Sequence, residues 1–270
     1  MIDFRYLKMP DIADYSIKFY RSNKILTENA KTWTPHLHDM LEIYILTEGD
    51  VSFAVESSQY KLEPGDVIIT KPNEMHNCIL NSDSVHRHLC FWFNVSSSFI
   101  FEDFLNHELG ENNLLRPDKE KRIILESLYD RIMDASDRED IHSQFYLTLE
   151  MLGIFRNLIG REVEAVAPTD TMKQILADIN ENFRYIKGLD YFCAKYYLSQ
   201  STLNRMFKSH LQTTPKIYLE TKKLAYSRIL LRNGKSVLEA SSESGFSDSS
   251  NFIRLFKKRF GITPKQYSNS

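Results

Sequence analysis

Near the C-terminus one short passage is written twice. Arg205-Met206-Phe207-Lys208, followed by Thr214-Pro215-Lys216-Ile217-Tyr218, returns 49 positions later as Arg254-Leu255-Phe256-Lys257 and Thr263-Pro264-Lys265-Gln266-Tyr267. A repeat at such a period marks one supersecondary unit used twice. Each copy joins a short amphipathic helix carrying basic residues to a Thr-Pro stop. That combination, used twice in one polypeptide, suits a module that reads DNA.

Charge supports this division. The chain of 270 residues, long enough for two domains, has a net charge of only -2. Residues 171–270 nevertheless hold 17 basic and 7 acidic side chains, a net +10, against a net -12 for residues 1–170. A basic half is built to meet a polyanion. Chance patterning of solvated faces is the bland alternative. Cys78, Cys90 and Cys193 form an odd, sparse set without metal-like spacing, which fits a reducing compartment. The opening Met1-Ile2-Asp3-Phe4-Arg5 lacks a signal peptide's basic and apolar regions. No window approaches the roughly 20 apolar residues of a membrane span. A cytoplasmic location, without membrane contact, is the expectation.

From about 31 to 95 the pattern is strand-like. Leu41 to Leu46 ends at Glu48-Gly49-Asp50, Val51 to Glu56 alternates, and Glu63-Pro64-Gly65-Asp66 breaks the chain before Val67-Ile68-Ile69. His88 to Phe93 reads as a strand buried on both faces. Short strands between frequent turn signals predict a sandwich or barrel over residues 1–98. From 99 to 160 the period shifts toward 3.6. Ile123, Ile124, Leu128, Tyr129 and Ile132 make one apolar stripe, and Phe145, Leu149, Leu152, Ile154, Phe155 and Leu158 another. These helices carry more apolar surface than a linker needs, and are expected to dimerise the chain. Residues 161–171 read as a linker or a plain loop, and 172–270 as all-helical: two helix-turn-helix units joined by a helix from about Lys216 to Leu231.

In such a unit the second helix enters the major groove and its early residues reach base edges. On the first copy these are Ser199 (also an N-cap), Gln200, Ser201, Thr202, Asn204 and Arg205, with Lys208 behind. On the second they are Asp248 (a cap as well), Ser249, Ser250, Asn251 and Arg254, with Lys257 and Lys258 behind. Asn and Gln pair with adenine and Arg with guanine, each good pair giving roughly 1–3 kcal/mol of discrimination. Lysines suit phosphates. Arg205 and Arg254 sit mid-helix and could meet a base, a phosphate or a neighbouring carboxylate, with DNA contact the favoured reading. Leu203, Phe207, Phe252 and Phe256 fall on the opposite, core stripe.

The series Ala194, Ser199, Leu203, Arg205, Phe207-Lys208, Pro215 and Tyr218, then Gly245-Phe246, Asp248, Asn251-Phe252, Arg254, Phe256-Lys257, Gly261, Thr263-Pro264 and Tyr267 resembles the signature of the AraC family of bacterial transcription regulators. The resemblance covers about the last 85 residues of the sequence. It implies two helix-turn-helix units entering adjacent major grooves on one face of DNA. The chain departs from the pattern at Gln212, where the second copy has Gly261, and at Lys223, Ser227 and Ala240-Ser241. A turn needing positive φ would penalise Gln212 by roughly 1–2 kcal/mol relative to glycine.

His36-x-His38-x3-Glu42, with Gly49 downstream, resembles the first cupin motif, and Gly65-Asp66, Pro72 and His76 approximate the second. Period two on a strand would put His36, His38, Glu42 and Tyr44 on one face. With His76 they could hold Fe, Mn, Ni or Zn, contact an organic effector, or be structural polar residues. AraC-type sensor domains resemble cupins and often use such residues for a small ligand, so His36, His38, Glu42, Tyr44, His76, His88 and Trp92 are the effector candidates. Trp92 reads equally as core. The fold class is α+β: a cupin-like barrel with following helices, then an all-α domain of two helix-turn-helix units. The function this implies is a sugar-responsive regulator of a carbohydrate uptake or catabolic operon, an activator rather than an enzyme, needing no cofactor. Its partners would be double-stranded DNA, a sugar-like effector, a second copy of the chain and RNA polymerase. The alternative is a cupin metal-binding enzyme or metal-sensing regulator using His36, His38, Glu42 and His76.

Overall fold

The computed structural model describes residues 3–8, 16–22, 35–93, 102–160 and 169–269. The chain divides into two compact units, the first built from residues 1–33 and 39–166 and the second from residues 34–38 and 167–270. The anticipated boundary at 98 and most of the 161–171 linker lie outside the described residues.

Among the described residues the first unit carries nine strands: β1 (Asp3–Lys8), β2 (Ser16–Ser22), β3 (Leu41–Glu48), β4 (Val51–Val55), β5 (Ser58–Lys61), β6 (Val67–Thr70), β7 (His76–Leu80), β8 (Arg87–Phe93) and β9 (Leu114–Leu115). They form a six-stranded sheet, β1-β2-β8-β3-β6-β9, facing a three-stranded sheet, β5-β4-β7. Every pairing is antiparallel. β1 and β2 extend the large sheet beyond anything the alternation over 31–95 announced.

Period-two alternation then sorts β3, β6 and β8 between two cores. Leu41, Ile43, Ile45, Val67, Ile69, Leu89 and Phe91 point away from the small sheet, into a core shared with two helices, α2 (Lys119–Asp137) and α3 (Ile141–Arg156). Tyr44, Leu46, Ile68 and Cys90 point inward, against Phe53, Val55, Tyr60 and Cys78 of the small sheet. A short helix, α1 (Glu102–Leu105), contributes Phe104 to the helix-side core.

Asp118 and Asp140 cap α2 and α3, each accepting a backbone N–H three residues on. Their buried faces correct the sequence reading. α2 buries Leu125, Leu128, Tyr129, Ile132 and Ala135 while Ile123 and Ile124 are exposed. α3 buries Leu147, Met151, Leu152 and Phe155, with Phe145, Leu149 and Ile154 only half-buried. The inward arc is set by packing on the sheet, so part of each anticipated stripe points elsewhere.

The second unit is helical: α4 (Asp170–Asn182), α5 (Asp190–Tyr196), α6 (Gln200–Leu211), α7 (Pro215–Arg232), α8 (Val237–Glu243), α9 (Ser249–Phe260) and α10 (Pro264–Ser268). α5–α6 and α8–α9 are the two helix-turn-helix pairs, and α7 joins them. The sequence repeat is a repeat of packing. Thr214 and Thr263 cap the helices that Pro215 and Pro264 open. Phe207 meets Tyr218 edge-on with ring centroids 5.7 Å apart, and Phe256 meets Tyr267 edge-on at the same 5.7 Å.

Candidate functional site

Two arrangements concentrate the chemistry, one in each unit. In the second unit, α6 and α9 each bury one stripe and expose the other. Leu203, Phe207 and Leu211 seat α6, leaving Gln200, Ser201, Arg205 and Lys208 exposed and Thr202 and Asn204 half-buried. Phe252 and Phe256 seat α9, leaving Ser250, Arg254, Lys257 and Lys258 exposed and Ser249 and Asn251 half-buried. Ser199 and Asp248 begin their helices as caps, accepting from the Thr202 N–H at 3.1 Å and the Ser250 N–H at 2.8 Å. Their side chains therefore have a structural duty before any other. Asn204 donates back to the Gln200 carbonyl at 2.9 Å, and Arg254 donates to Asn251 Oδ1 at 2.7 Å. The Arg254–Asn251 bond orients the guanidinium, the group suited to a guanine edge.

The second pair is anchored by a close approach. Gly245, at φ +88°, brings the α8–α9 turn so near residue 184 that an added Cβ would lie 2.2 Å from the Arg184 carbonyl oxygen. Lys223 on α7, itself buried, donates to both the Gly245 carbonyl (2.8 Å) and the Ile186 carbonyl (2.7 Å). Burial pushes its ammonium below the ordinary lysine value. One buried cation thus binds the turn to the linking helix. Beside it lies a polar cavity of about 370 Å³ whose walls include Lys187, Lys216, Asp248 and Asn251. The sequence reading passed over Lys187 and Lys216. Lys216 was findable, because Lys265 repeats it after the second Thr-Pro.

In the first unit the inward faces of both sheets bring polar groups together. The register sets Glu42 beside Trp92 and Thr70, and Tyr44 beside Cys90. Buried Glu42 accepts from Trp92 Nε1 at 2.8 Å, and its other oxygen from the Cys90 thiol at 3.6 Å. His76, arriving on β7, places Nε2 3.4 Å from Glu42 Oε2. Burial disfavours the charged His76 ring, but Glu42 outweighs that and holds its pKa above the ordinary value. His88 stacks on Tyr44 at 4.9 Å and on His86 at 4.6 Å, and Tyr44 Oη lies 2.6 Å from His86 Nε2. Burial pushes His86 down to about 4 and His88 to about 3, so both rings are neutral near pH 7. His86 was missed, although it continues the alternation of His88 backward by two.

His36 and His38 precede β3 with ring centroids 6.0 Å apart. They do not continue β3, because the chain bends at Asp39-Met40 and the strand begins at Leu41. Glu42 and His76 share the interior of the first unit, whereas residues 34–38, with His36 and His38, cluster with the second. Tyr44 belongs instead to the His86–His88 stack.

Comparison with known proteins finds a family model for a stretch of each half of the chain. Residues 27–148 match the family model of an AraC-like ligand binding domain, and residues 192–270 match a helix-turn-helix domain. The HTH-type transcriptional activator RhaR of Mannheimia succiniciproducens is 24% identical over 237 residues, covering 86% of each chain. The HTH-type transcriptional activator RhaS of Salmonella schwarzengrund is 24% identical over 243 residues, covering 85% of each. A crystal structure of unsaturated fatty acid bound wild-type ToxT from Vibrio cholerae is 15% identical, covers 97% of each chain and superposes with a TM-score of 0.41.

Proposed function

The chain belongs to the AraC family of transcription regulators, with an AraC-like ligand-binding domain and a helix-turn-helix DNA-binding domain, and from that premise we propose that it is a one-component activator controlled by a small polar metabolite of the sugar class. The observation that carries the reading is the union in one chain of two exposed, basic, capped helices with a barrel lined by polar and aromatic groups. Gln200, Asn204 and Arg205 read one stretch of bases and Asn251 and Arg254 another; Lys208, Lys257 and Lys258, joined by Lys187 and Lys216, neutralise phosphates. Two copies of the chain would read repeated half-sites, with RNA polymerase recruited beside them. An activating role accords with the names of the transcriptional activators it is similar to, and the target in this reading is an operon for carbohydrate uptake or catabolism. The work is intracellular; among the described residues no helix is long and apolar enough to cross a membrane.

The effector is received by His36, His38, Glu42 and Trp92, with Tyr44, His76, His86 and His88 behind them. Its action is to favour the DNA-competent population. The quartet His36, His38, Glu42 and His76 supports a second reading, as a metal sensor. Three imidazoles and one carboxylate are a fitting donor set for a first-row transition ion. That ion would supply charge and a fixed geometry as the signal.

One experiment separates the readings. Operator DNA anisotropy is followed with the full chain against a panel of monosaccharides and polyols, alongside elemental analysis of the purified protein. Replacing His36 and His38 with Ala should abolish the metabolite response and leave basal DNA binding intact. A stoichiometric metal lost in the same variant, with no metabolite response in either protein, would overturn the sugar reading for the metal one.

A further inference from the structure

The turn inside the first helix-turn-helix pair is short. α5 ends at Tyr196, Ser199 is the N-cap of α6, and only Tyr197 and Leu198 lie between. One of the two is left-handed: Tyr197, at φ 56° and ψ 42°, whose N–H closes α5 on the Cys193 carbonyl. The backbone here has a use for the left-handed shape but none for a side chain. Glycine adopts that shape freely, and the turn of the second pair does use one, Gly245 at φ +88°. A bulky side chain at positive φ is strained. Among the described residues at positive φ, Tyr197 is the one aromatic; the other side chains there belong to Glu56, Asn73, Asn112, Glu139 and Gln212.

Packing does not offset the strain. Tyr197 is 94% exposed, the most exposed of the large hydrophobic side chains among the described residues, and neither its ring nor its hydroxyl has a partner among them. A ring held at a strained angle, in contact with nothing, has its use in a complex rather than in the free chain. The surroundings narrow the partner. The exposed side chains on either side, Lys195 and Ser199, are polar, as are Gln200 and Ser201 beyond. Lys195 is engaged by Asp178 at 2.9 Å and donates to the Tyr191 hydroxyl at 3.2 Å, whereas the Tyr197 phenol has no internal claim on it. A protein partner would be met by a contiguous apolar patch. A single phenol among polar groups, two residues before the cap of α6, suits the phosphodiester backbone, to which tyrosine is a regular donor.

We propose that Tyr197 is a DNA-backbone contact of the first helix-turn-helix pair: with α6 in the major groove, the phenol O–H donates to one phosphate oxygen of the strand flanking that groove. The inference rests on the reading of α6 as a groove-entering helix. It assigns the tyrosine to affinity and register rather than to sequence, because phosphate oxygens carry no base information. A neutral donor releases no counterion, so its contribution does not depend on salt as that of Lys208 does. The two turns differ accordingly. Gly245 serves internal packing, and Tyr197 holds a strained backbone for a contact outside the chain.

The test follows fluorescence anisotropy of the full chain on two duplexes of roughly three helical turns, one of arbitrary sequence and one selected from a random pool by the wild-type protein. Tyr197→Phe keeps both the ring and the strained backbone. It should leave the melting temperature unchanged and weaken binding to both duplexes by one factor, roughly three to ten, the worth of one hydrogen bond. The slope of log affinity against log salt should not change, whereas Lys208→Ala should lower it by about one. Tyr197→Gly should lose the same affinity while raising the melting temperature of the helical unit by roughly 2–8 °C, read by circular dichroism. Neutralising phosphates one at a time as methylphosphonates should reveal one position that costs the wild type affinity and costs Tyr197→Phe markedly less. The proposal is overturned if Tyr197→Phe binds both duplexes as the wild type does, or if it loses affinity for the selected duplex alone, the mark of a base contact. It is equally overturned if the variant binds DNA fully but fails to activate purified RNA polymerase, which would make the ring a protein contact. Wild-type protein that binds neither duplex would take the regulator reading down as well, a result distinct from all of these.

Discussion

Gln212 and Gly261 occupy the same place in the two copies, closing α6 and α9, and they offer a measurement of backbone strain with few competing terms. Both are left-handed: Gln212 at φ 53°, ψ 26° and Gly261 at φ 78°, ψ -19°. Gln212 is exposed, and the space around Gly261 is open. A side-chain-bearing residue pays roughly 1–2 kcal/mol for this conformation. Glycine avoids that but loses about 0.5–1 kcal/mol through the greater freedom of its unfolded chain. Gln212→Gly should therefore stabilise the second unit by about 0.5–1 kcal/mol, and Gly261→Gln should destabilise it by the same amount. If that unit of about a hundred residues unfolds on its own, 1 kcal/mol corresponds to roughly 4–8 °C in Tm. Gln212→Ala keeps the left-handed cost and should change little. Both tryptophans, Trp33 and Trp92, lie in the sequence of the first unit, so ellipticity at 222 nm would follow the helical unit and tryptophan fluorescence the barrel. The reasoning fails if Gln212→Gly is neutral or destabilising, if both swaps change stability with the same sign, or if Gln212→Ala stabilises as much as glycine.

Gly245→Ala combines a strained φ with a 2.2 Å clash against backbone; a loss of about 3 kcal/mol or more is expected in urea titration, and a loss below about 1 kcal/mol would show that the turn has room. His86 and His88 are held neutral by burial, so the unfolded chain takes up protons first as pH falls below about 6.5. Barrel stability should fall from there toward pH 4 by up to roughly 1.4 kcal/mol per pH unit for each ring. His76, raised instead, contributes stability that is fully present below 6.5 and is lost as pH rises through its folded value. The urea midpoint followed by tryptophan fluorescence should thus peak near neutrality, and His88→Phe should flatten the acid limb; a midpoint rising toward pH 5 would contradict this. Arg254→Ala should relax discrimination at one base position, whereas Lys258→Ala should weaken all sequences alike and reduce the salt slope by about one. Equal effects of the two on every sequence would refute the division.

Much of the helical unit was legible because its signals are local. Ser199, Thr214, Ser236, Asp248 and Thr263 cap where side-chain chemistry says they should, and Gly234 follows α7 at φ +80°. The left-handed Gln212 was foreseeable from the repeat alone. In the barrel, alternation identified the central strands, but β1 and β2 depend on pairing with β8, some seventy positions away in the register (Ile17 with Phe93), and nothing local announces such a partner. Period 3.6 found α2 and α3 without settling which arc faces inward. Ile123 and Ile124 are apolar yet exposed, because Arg122 one step earlier is held at Asp66 and Pro117, and Leu125, Leu128 and Tyr129 take the sheet. The bend at Asp39-Met40 means that strand periodicity does not carry His36 and His38 onto the face of β3 that holds Glu42.

The central claim is that one chain reads two separate stretches of bases with two copies of one unit. Selection of bound duplexes from a random DNA pool by the full-length protein, followed by sequencing, tests it most directly. The account predicts paired motifs about one helical turn apart, roughly 10–10.5 base pairs, with Asn204→Ala erasing information in one and Arg254→Ala in the other. A pool that stays random, or a single motif that both substitutions degrade identically, would contradict it.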